Sequence, residues 1–282
     1  MPQLQEELCP DWNVPSPADI TTLNREFREA KPFPYLVLDN LFDRNGLTQI
    51  LHDTESASEL AWEPHYTRLQ RKRVARSLPE MPPSLARYFA LTHSPDFMNC
   101  LEKLTGLSGL QSDASLFGGG LHEADPDGHF EIHLDFQTHP VTRLSNALVV
   151  ITYLNPDWQE GKGGELELWN AVTRKPEAKV APLFGRTLIM SQSKIALHGY
   201  PRPLASGKRR ALITYFYTRD KQDSQKAMYN THYLRRPGLP LDRHIQMVMR
   251  DYLPKPLVTT LRRARSHLVH QWRERKGGSS HQ

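Results

Sequence analysis

From about Asp113 to Thr218 the sequence breaks into short β-type runs separated by Gly, Pro and Asn, and this texture constrains the fold more than any other feature. The runs are 114–117, 131–136, 147–154, 165–169, 187–191 and 210–217, and several alternate apolar with polar residues. Short runs in such succession predict a sandwich or jelly roll rather than alternating βαβ units. No internal repeat is visible.

The N-terminal half reads differently. Its first 30 residues look loosely ordered apart from a helix start at Thr21-Thr22-Leu23. Lys31-Pro32-Phe33-Pro34 is held extended by its prolines, and Tyr35-Leu36-Val37-Leu38 reads as a strand. Helices are predicted over 47–59, 83–92 and 95–105, the second opened by Pro82-Pro83-Ser84. The polar, basic stretch 68–76 has no clear period, and from Lys221 the pattern turns helical again. The expected class is α+β, with a jelly-roll core and flanking helices; that the core is a double-stranded β-helix (jelly roll, cupin-like) is what the family resemblance given below implies. Its expected parts are a mainly helical flank (1–112) packed on the core, the β core (113–220) and a basic helical extension (221–282).

Composition excludes several alternatives. With 38% apolar and 24% charged residues, the 282-residue chain is globular rather than disordered. No apolar run has the roughly 18–20 residues of a membrane span, and residues 1–17 are polar and acidic, unlike a secretory signal. Cys9 and Cys100 are far apart, so neither a disulfide scaffold nor a cysteine zinc site is expected, and a cytoplasmic location is. The net charge of +5 is local: residues 235–282 hold 11 Lys+Arg against 3 Asp+Glu, so the rest of the chain is slightly acidic. In that tail Leu257, Leu261, Ala264, Leu268 and Trp272 recur at helical spacing, with arginines on the other faces. The favoured reading docks this helix on the β core; the other sets it at an anionic surface. Nucleic-acid binding would rest on tail charge alone, without a reader motif.

The chemistry-bearing residues lie in the β-rich part. In His133-Leu134-Asp135 the imidazole and carboxylate are two apart, so a strand puts them on one face and both can serve one metal. His129-Phe130-Glu131 is a local rival. His198 leaves an apolar run just before Gly199-Tyr200-Pro201, at a strand-turn boundary suited to a third ligand. Arginines at 209 and 210 open a run in which Ala211, Ile213 and Tyr215 alternate; a buried arginine there needs a carboxylate, from protein or ligand. Two His and one Asp make the facial triad of non-haem Fe(II) oxygenases.

From about 117 to 218 the chain resembles the prolyl 4-hydroxylase-like branch of the 2-oxoglutarate/Fe(II)-dependent dioxygenases. The resemblance is carried by Gly118-Gly119-Gly120-Leu121-His122, His133-Leu134-Asp135-Phe136, Tyr153-Leu154-Asn155 and Trp158. It continues through Gly163-Gly164-Glu165-Leu166-Glu167-Leu168-Trp169, Val180-Ala181-Pro182, Gly185-Arg186, His198-Gly199-Tyr200-Pro201 and Arg209-Arg210-Ala211-Leu212. It implies that His133, Asp135 and His198 bind Fe(II) and that Arg209 binds 2-oxoglutarate, with Tyr153 donating to the same carboxylate. Lys208 and Arg210 are the fallbacks if the register slips. Ala211 stands where the family often has Ser or Thr, so one hydroxyl contact is missing. His122, His129, His139 and Arg143 are read as rim residues beside the site, with a substrate or ligand-supporting role as the sharper reading.

The implied activity is hydroxylation of an unactivated C–H bond, using O2 and supported by ascorbate, as 2-oxoglutarate becomes succinate and CO2. Asp135 is the carboxylate that related halogenases lack, which leaves hydroxylation or desaturation. The implied substrate is a prolyl or other residue in a peptide, or a small metabolite. The alternative is a cupin-like metal-binding regulatory module without oxygenase activity.

Overall fold

The computed structural model describes residues 11–57, 60–219 and 230–252. Its elements are α1 (Pro17–Glu29), β1 (Tyr35–Leu38), α2 (Arg44–Ser56), β2 (Glu63–Tyr66), β3 (Gln70–Ala75), α3 (Pro83–Thr92) and α4 (Pro95–Thr105). Then come β4 (Gly120–Ala124), β5 (His129–Leu134), β6 (Ser145–Tyr153), β7 (Leu166–Trp169) and β8 (Pro176–Val180). They are followed by β9 (Thr187–Ser191), β10 (Leu197–Tyr200), β11 (Arg209–Thr218), β12 (His232–Tyr233) and α5 (Leu241–Tyr252).

The strands form one antiparallel jelly roll in the order β1-β9-β6-β11-β4-β3-β5-β10-β7-β8, with β2 on β3 and β12 on β5. This is the α+β architecture expected from the succession of short runs.

Pairing and burial follow from alternation. β6 reads Ser-Asn-Ala-Leu-Val-Val-Ile-Thr-Tyr, apolar on both faces because both faces are covered. Leu148 and Val150 pack with Leu212, Phe216 and the helix residues Leu85, Tyr88, Phe89, Phe97 and Leu101. Val149, Ile151 and Tyr153 point the other way, into a cluster with Leu188, Met190, Ala211, Tyr215 and Tyr217 inside the barrel. Each such side chain contributes about 1.5–3 kcal/mol when fully buried. On the helix-facing side Thr152 is satisfied, since the Tyr88 hydroxyl donates to its Oγ1 at 2.8 Å and Thr187 Oγ1 lies at 3.0 Å.

Several local expectations are corrected. Residues 17–29 form a regular helix rather than loose chain: Ser16 and Asp19 make a reciprocal capping box, and Pro17 sits in the first turn, where its missing N–H costs nothing. α2 starts earlier than predicted, capped by the Asp43 side chain on the Gly46 N–H, and ends at Ser56. Residues 114–117 are not a strand. The Asp113 carboxylate accepts from the Ser115 and Phe117 N–H groups at 2.9 Å each, winding the segment into a turn. The undecided basic stretch is β3, and β8 was unforeseen: it has Pro176 at its first position and pairs β7 alone, as an edge strand permits.

The chain divides into two compact units, Met1–Leu234 and Arg235–Gln282. The described helix of the second unit is α5; the apolar stripe from Leu257 to Trp272 lies outside the described residues. Cys100 is buried and free, and Cys9 also lies outside them. No described helix is long and apolar enough to cross a membrane.

Candidate active site

Strand register assembles the site. β10 pairs β5 with His198 opposite His133, and Asp135 follows one residue after β5 ends. One ligand atom from each of His133, Asp135 and His198 lies within 4.8 Å of the others, and all three residues are buried. His133 Nδ1 is 2.7 Å from the Glu131 carbonyl and His198 Nδ1 is 2.9 Å from that of Ala196. A carbonyl only accepts, so each Nδ1 carries the proton and each Nε2 presents a lone pair. Those Nε2 atoms lie 3.3 and 3.5 Å from the Asp135 oxygens, and His133 Nε2 is buried without a hydrogen bond. Two imidazole lone pairs and a carboxylate converging on one point are a donor set that fits a divalent metal such as Fe(II).

The electrostatics agree. Burial pushes His198 down to about 4, with Asp135 opposing, so its imidazole is neutral at pH 7. Burial also resists ionisation of Asp135, but His198, His133 and a 2.8 Å hydrogen bond from the Tyr215 hydroxyl hold its carboxyl well below the usual range. The Tyr215 phenol is raised by burial and by Asp135, so it stays a donor.

Arg209 and Arg210, adjacent on β11, face opposite ways. Arg209 is 5% exposed and points inward: its Nε donates to the Gly164 carbonyl at 2.8 Å. Its guanidinium carbon lies 4.1 Å from the Tyr200 ring centroid and 5.1 Å from that of Tyr153, and Nη2 is 3.4 Å from the Tyr153 hydroxyl. No acidic side chain among the described residues pairs with it. Arg210 points outward and donates to Glu123 at 2.6 Å and Glu55 at 2.7 Å. Arg73 also pairs with Glu123, as does Lys208 at 3.2 Å. Burial works to raise the Glu123 carboxyl, but these cations hold it below the usual range.

The glycine pair before β7 shapes the arginine's seat. Gly164 has φ +81°, and a Cβ there would lie 3.2 Å from Arg209 Cδ. Gly164→Ala is therefore expected to strain the turn and tilt Arg209, weakening 2-oxoglutarate binding about tenfold with little change in metal affinity. Calorimetric titration of the metal-loaded variant checks this; unaltered 2-oxoglutarate affinity would contradict it.

The rim histidines separate by environment. Both ring nitrogens of His129 face carbonyls, those of Asp127 at 3.0 Å and Arg68 at 3.1 Å, so the rival pair His129/Glu131 offers no imidazole to a metal. His139 lies 3.2 Å from Asp113 and accepts from the Val141 and Thr142 N–H groups, anchoring its loop. Arg143 occupies the left-handed region at φ 63° in that loop. His122 lines the barrel wall at 6% exposure.

Tyr215, Tyr200 and Phe130 were not singled out from sequence. The alternation that turns Arg209 inward carries Tyr215, six residues on, to the same face, so that residue was readable. Phe130 stacks on His133, ring centroids 3.8 Å apart, across a local break in β5–β10 pairing that no sequence period reveals.

A jelly roll that brings two histidines and an aspartate together beside an inward arginine offers the donor set that non-haem Fe(II) oxygenases use. The comparisons with known proteins then place it: residues 119–217 match the model of the 2OG-Fe(II) oxygenase superfamily, and the chain carries an oxygenase domain of that superfamily. The superfamily whose model this domain matches uses Fe(II) and 2-oxoglutarate. Similar solved structures include a Pseudomonas putida prolyl-4-hydroxylase, with TM-score 0.53 and 15% identity over 71% of this chain and 100% of that one. A Burkholderia pseudomallei oxidoreductase of the 2OG-Fe(II) oxygenase family gives 0.52 and 17%, over 78% and 96%. A Phytophthora capsici prolyl 4-hydroxylase gives 0.50 and 18%, over 77% and 72%. At such identities the likeness is one of fold. No curated protein sequence matches the chain.

Proposed function

We propose that His133, Asp135 and His198 hold Fe(II), that Arg209 binds the far carboxylate of 2-oxoglutarate with Tyr153 beside it, and that the chain hydroxylates a C–H bond of a peptide residue or small metabolite. The observation that carries this reading is the inward Arg209, with no acidic partner among the described residues, in the same barrel as the three converging ligand atoms. Fe(II) with 2-oxoglutarate supplies O2 activation, and 2-oxoglutarate leaves as succinate and CO2.

The remaining work belongs to the chain's own side chains. Gly164, Tyr200 and Tyr153 hold the Arg209 guanidinium in place, so a carboxylate meets a preoriented fork rather than a flexible chain. The two backbone carbonyls on the Nδ1 atoms fix both imidazole tautomers. Tyr215 keeps Asp135 oriented and ionised through its hydroxyl. The aromatic wall of Phe130, Tyr153, Tyr200 and Tyr215 excludes bulk water and strengthens the charge interactions inside.

The test uses the full chain. Loaded with redox-inert Zn(II), it is expected to bind 2-oxoglutarate at one site in a calorimetric titration. With Fe(II) and ascorbate it is expected to release succinate slowly even without substrate. A metal-loaded protein that binds no 2-oxoglutarate would favour the metal-binding module instead.

A further inference from the structure

A second buried cation in the barrel has no part in the reading above. Lys72 lies mid-strand in β3 and is 9% exposed. Its neighbours two positions either side set its face: Val74 pairs with His122, and Gln70 with Phe130. The Lys72 ammonium is 3.1 Å from His122 Nδ1. His122 Nε2 lies 3.2 Å from the Gly119 carbonyl, so Nε2 donates there and Nδ1 is left to accept from Lys72. Burial, with Lys72 adding to it, keeps His122 neutral. The ammonium also lies 4.1 Å from the Phe130 ring centroid, and that ring stacks on His133. Lys72 is thus one aromatic ring away from the triad.

Its nearest neighbours orient the amine without offering it a carboxylate. A neutral imidazole and a ring face supply no countercharge. Burial pulls the Lys72 ammonium down to about 7; the Asp135 charge works against this and Arg209 with it. A buried cation so placed is costly unless an anion arrives. Arg209, anchored at Gly164, faces the same interior, and its charge acts on both Lys72 and His122.

We propose that Lys72, steadied by His122, is a further carboxylate-binding cation of this pocket, acting alongside Arg209. The inference rests on the oxygenase reading and deepens it. The carboxylate comes either from 2-oxoglutarate or from an acidic substrate, and the two sources separate by experiment.

The full chain loaded with Zn(II) is titrated with 2-oxoglutarate, as wild type and as Lys72→Met. In parallel, with 2-oxoglutarate saturating, free α-amino acids and their carboxamides are screened by shift in melting temperature. Methionine fills much of the space of the lysine side chain, and the melting temperature of the variant checks that the barrel stays folded. A hydrogen-bonded charge contributes about 1.5–3 kcal/mol, so roughly a 10- to 100-fold effect is expected. If Lys72→Met loses that much 2-oxoglutarate affinity, the cosubstrate is the source. If 2-oxoglutarate binds unchanged but an acid that stabilises the wild type, and whose amide does not, no longer stabilises the variant, the substrate is the source. Unchanged 2-oxoglutarate affinity with no carboxylate-dependent ligand lost overturns the inference alone. Failure of the wild type to bind 2-oxoglutarate overturns the oxygenase reading and the inference with it.

Discussion

Asp135→Ala is expected to abolish Fe(II) binding and 2-oxoglutarate turnover while the protein stays folded. Asp135 is the sole carboxylate among the three converging ligands, and its oxygens lie 3.3 and 3.5 Å from the two histidine Nε2 atoms. Removing it leaves two neutral imidazoles facing a divalent cation without countercharge. Losing a partner one layer outside a metal typically costs about 10–100-fold in affinity, so losing a ligand should exceed 100-fold. The fold loses less. The Tyr215 hydroxyl is left without its acceptor, which costs about 1–3 kcal/mol, and the departure of a buried negative charge offsets part of that. Metal content after dialysis and the melting temperature read the two effects separately. A variant that retains stoichiometric iron would place the metal elsewhere.

The second large effect separates two neighbouring arginines. Arg209→Met should cost 2-oxoglutarate affinity about 2–5 kcal/mol, or at least roughly 30-fold, with iron binding intact, because a buried carboxylate would lose its fork. Arg210→Met should do the reverse. Arg210 bridges Glu123 and Glu55 on the outward face, and Glu123 is 2% exposed. Breaking a buried pair costs about 3–5 kcal/mol, and the low end applies because Arg73 and Lys208 still flank Glu123. Arg210→Met should therefore lower the melting temperature and leave 2-oxoglutarate affinity nearly unchanged. Paired titrations and thermal melts decide the matter; a 2-oxoglutarate defect in Arg210→Met but not in Arg209→Met would reverse the register.

Much of the site was legible because strands carry a strict period of two. His133 with Asp135, and Arg209 with Ala211 and Tyr215, follow from that period once the strands are recognised. The helices α3 and α4 were legible from their opening prolines and Ser94, which accepts from the Phe97 N–H. Other features depend on contacts that composition does not encode. Lys72 sits between Arg71 and Arg73 in a basic run. Only the pairing of β3 with β4 and β5 reveals that Lys72 is inside while Arg73 reaches Glu123 outside. The Ser16/Asp19 capping box was in plain view, and its signature outweighs the polar composition that suggested loose chain. The turn at 114–117 went the other way, because one carboxylate diverted the N–H groups that a strand would use.

The position of β3 has a consequence for how the catalytic barrel can be dissected. β3 precedes α3 and α4 in the chain, yet it lies between β4 and β5 and is the strip that joins the two halves of the jelly roll. The barrel is thus discontinuous in sequence. A fragment starting at Asp113 would keep His133, Asp135, His198 and Arg209 but would uncover the backbone edges of β4 and β5, a template for edge-to-edge association. Its wall would also lack the segment that carries Lys72, so the chemistry-bearing stretch is not a self-sufficient excerpt of this protein.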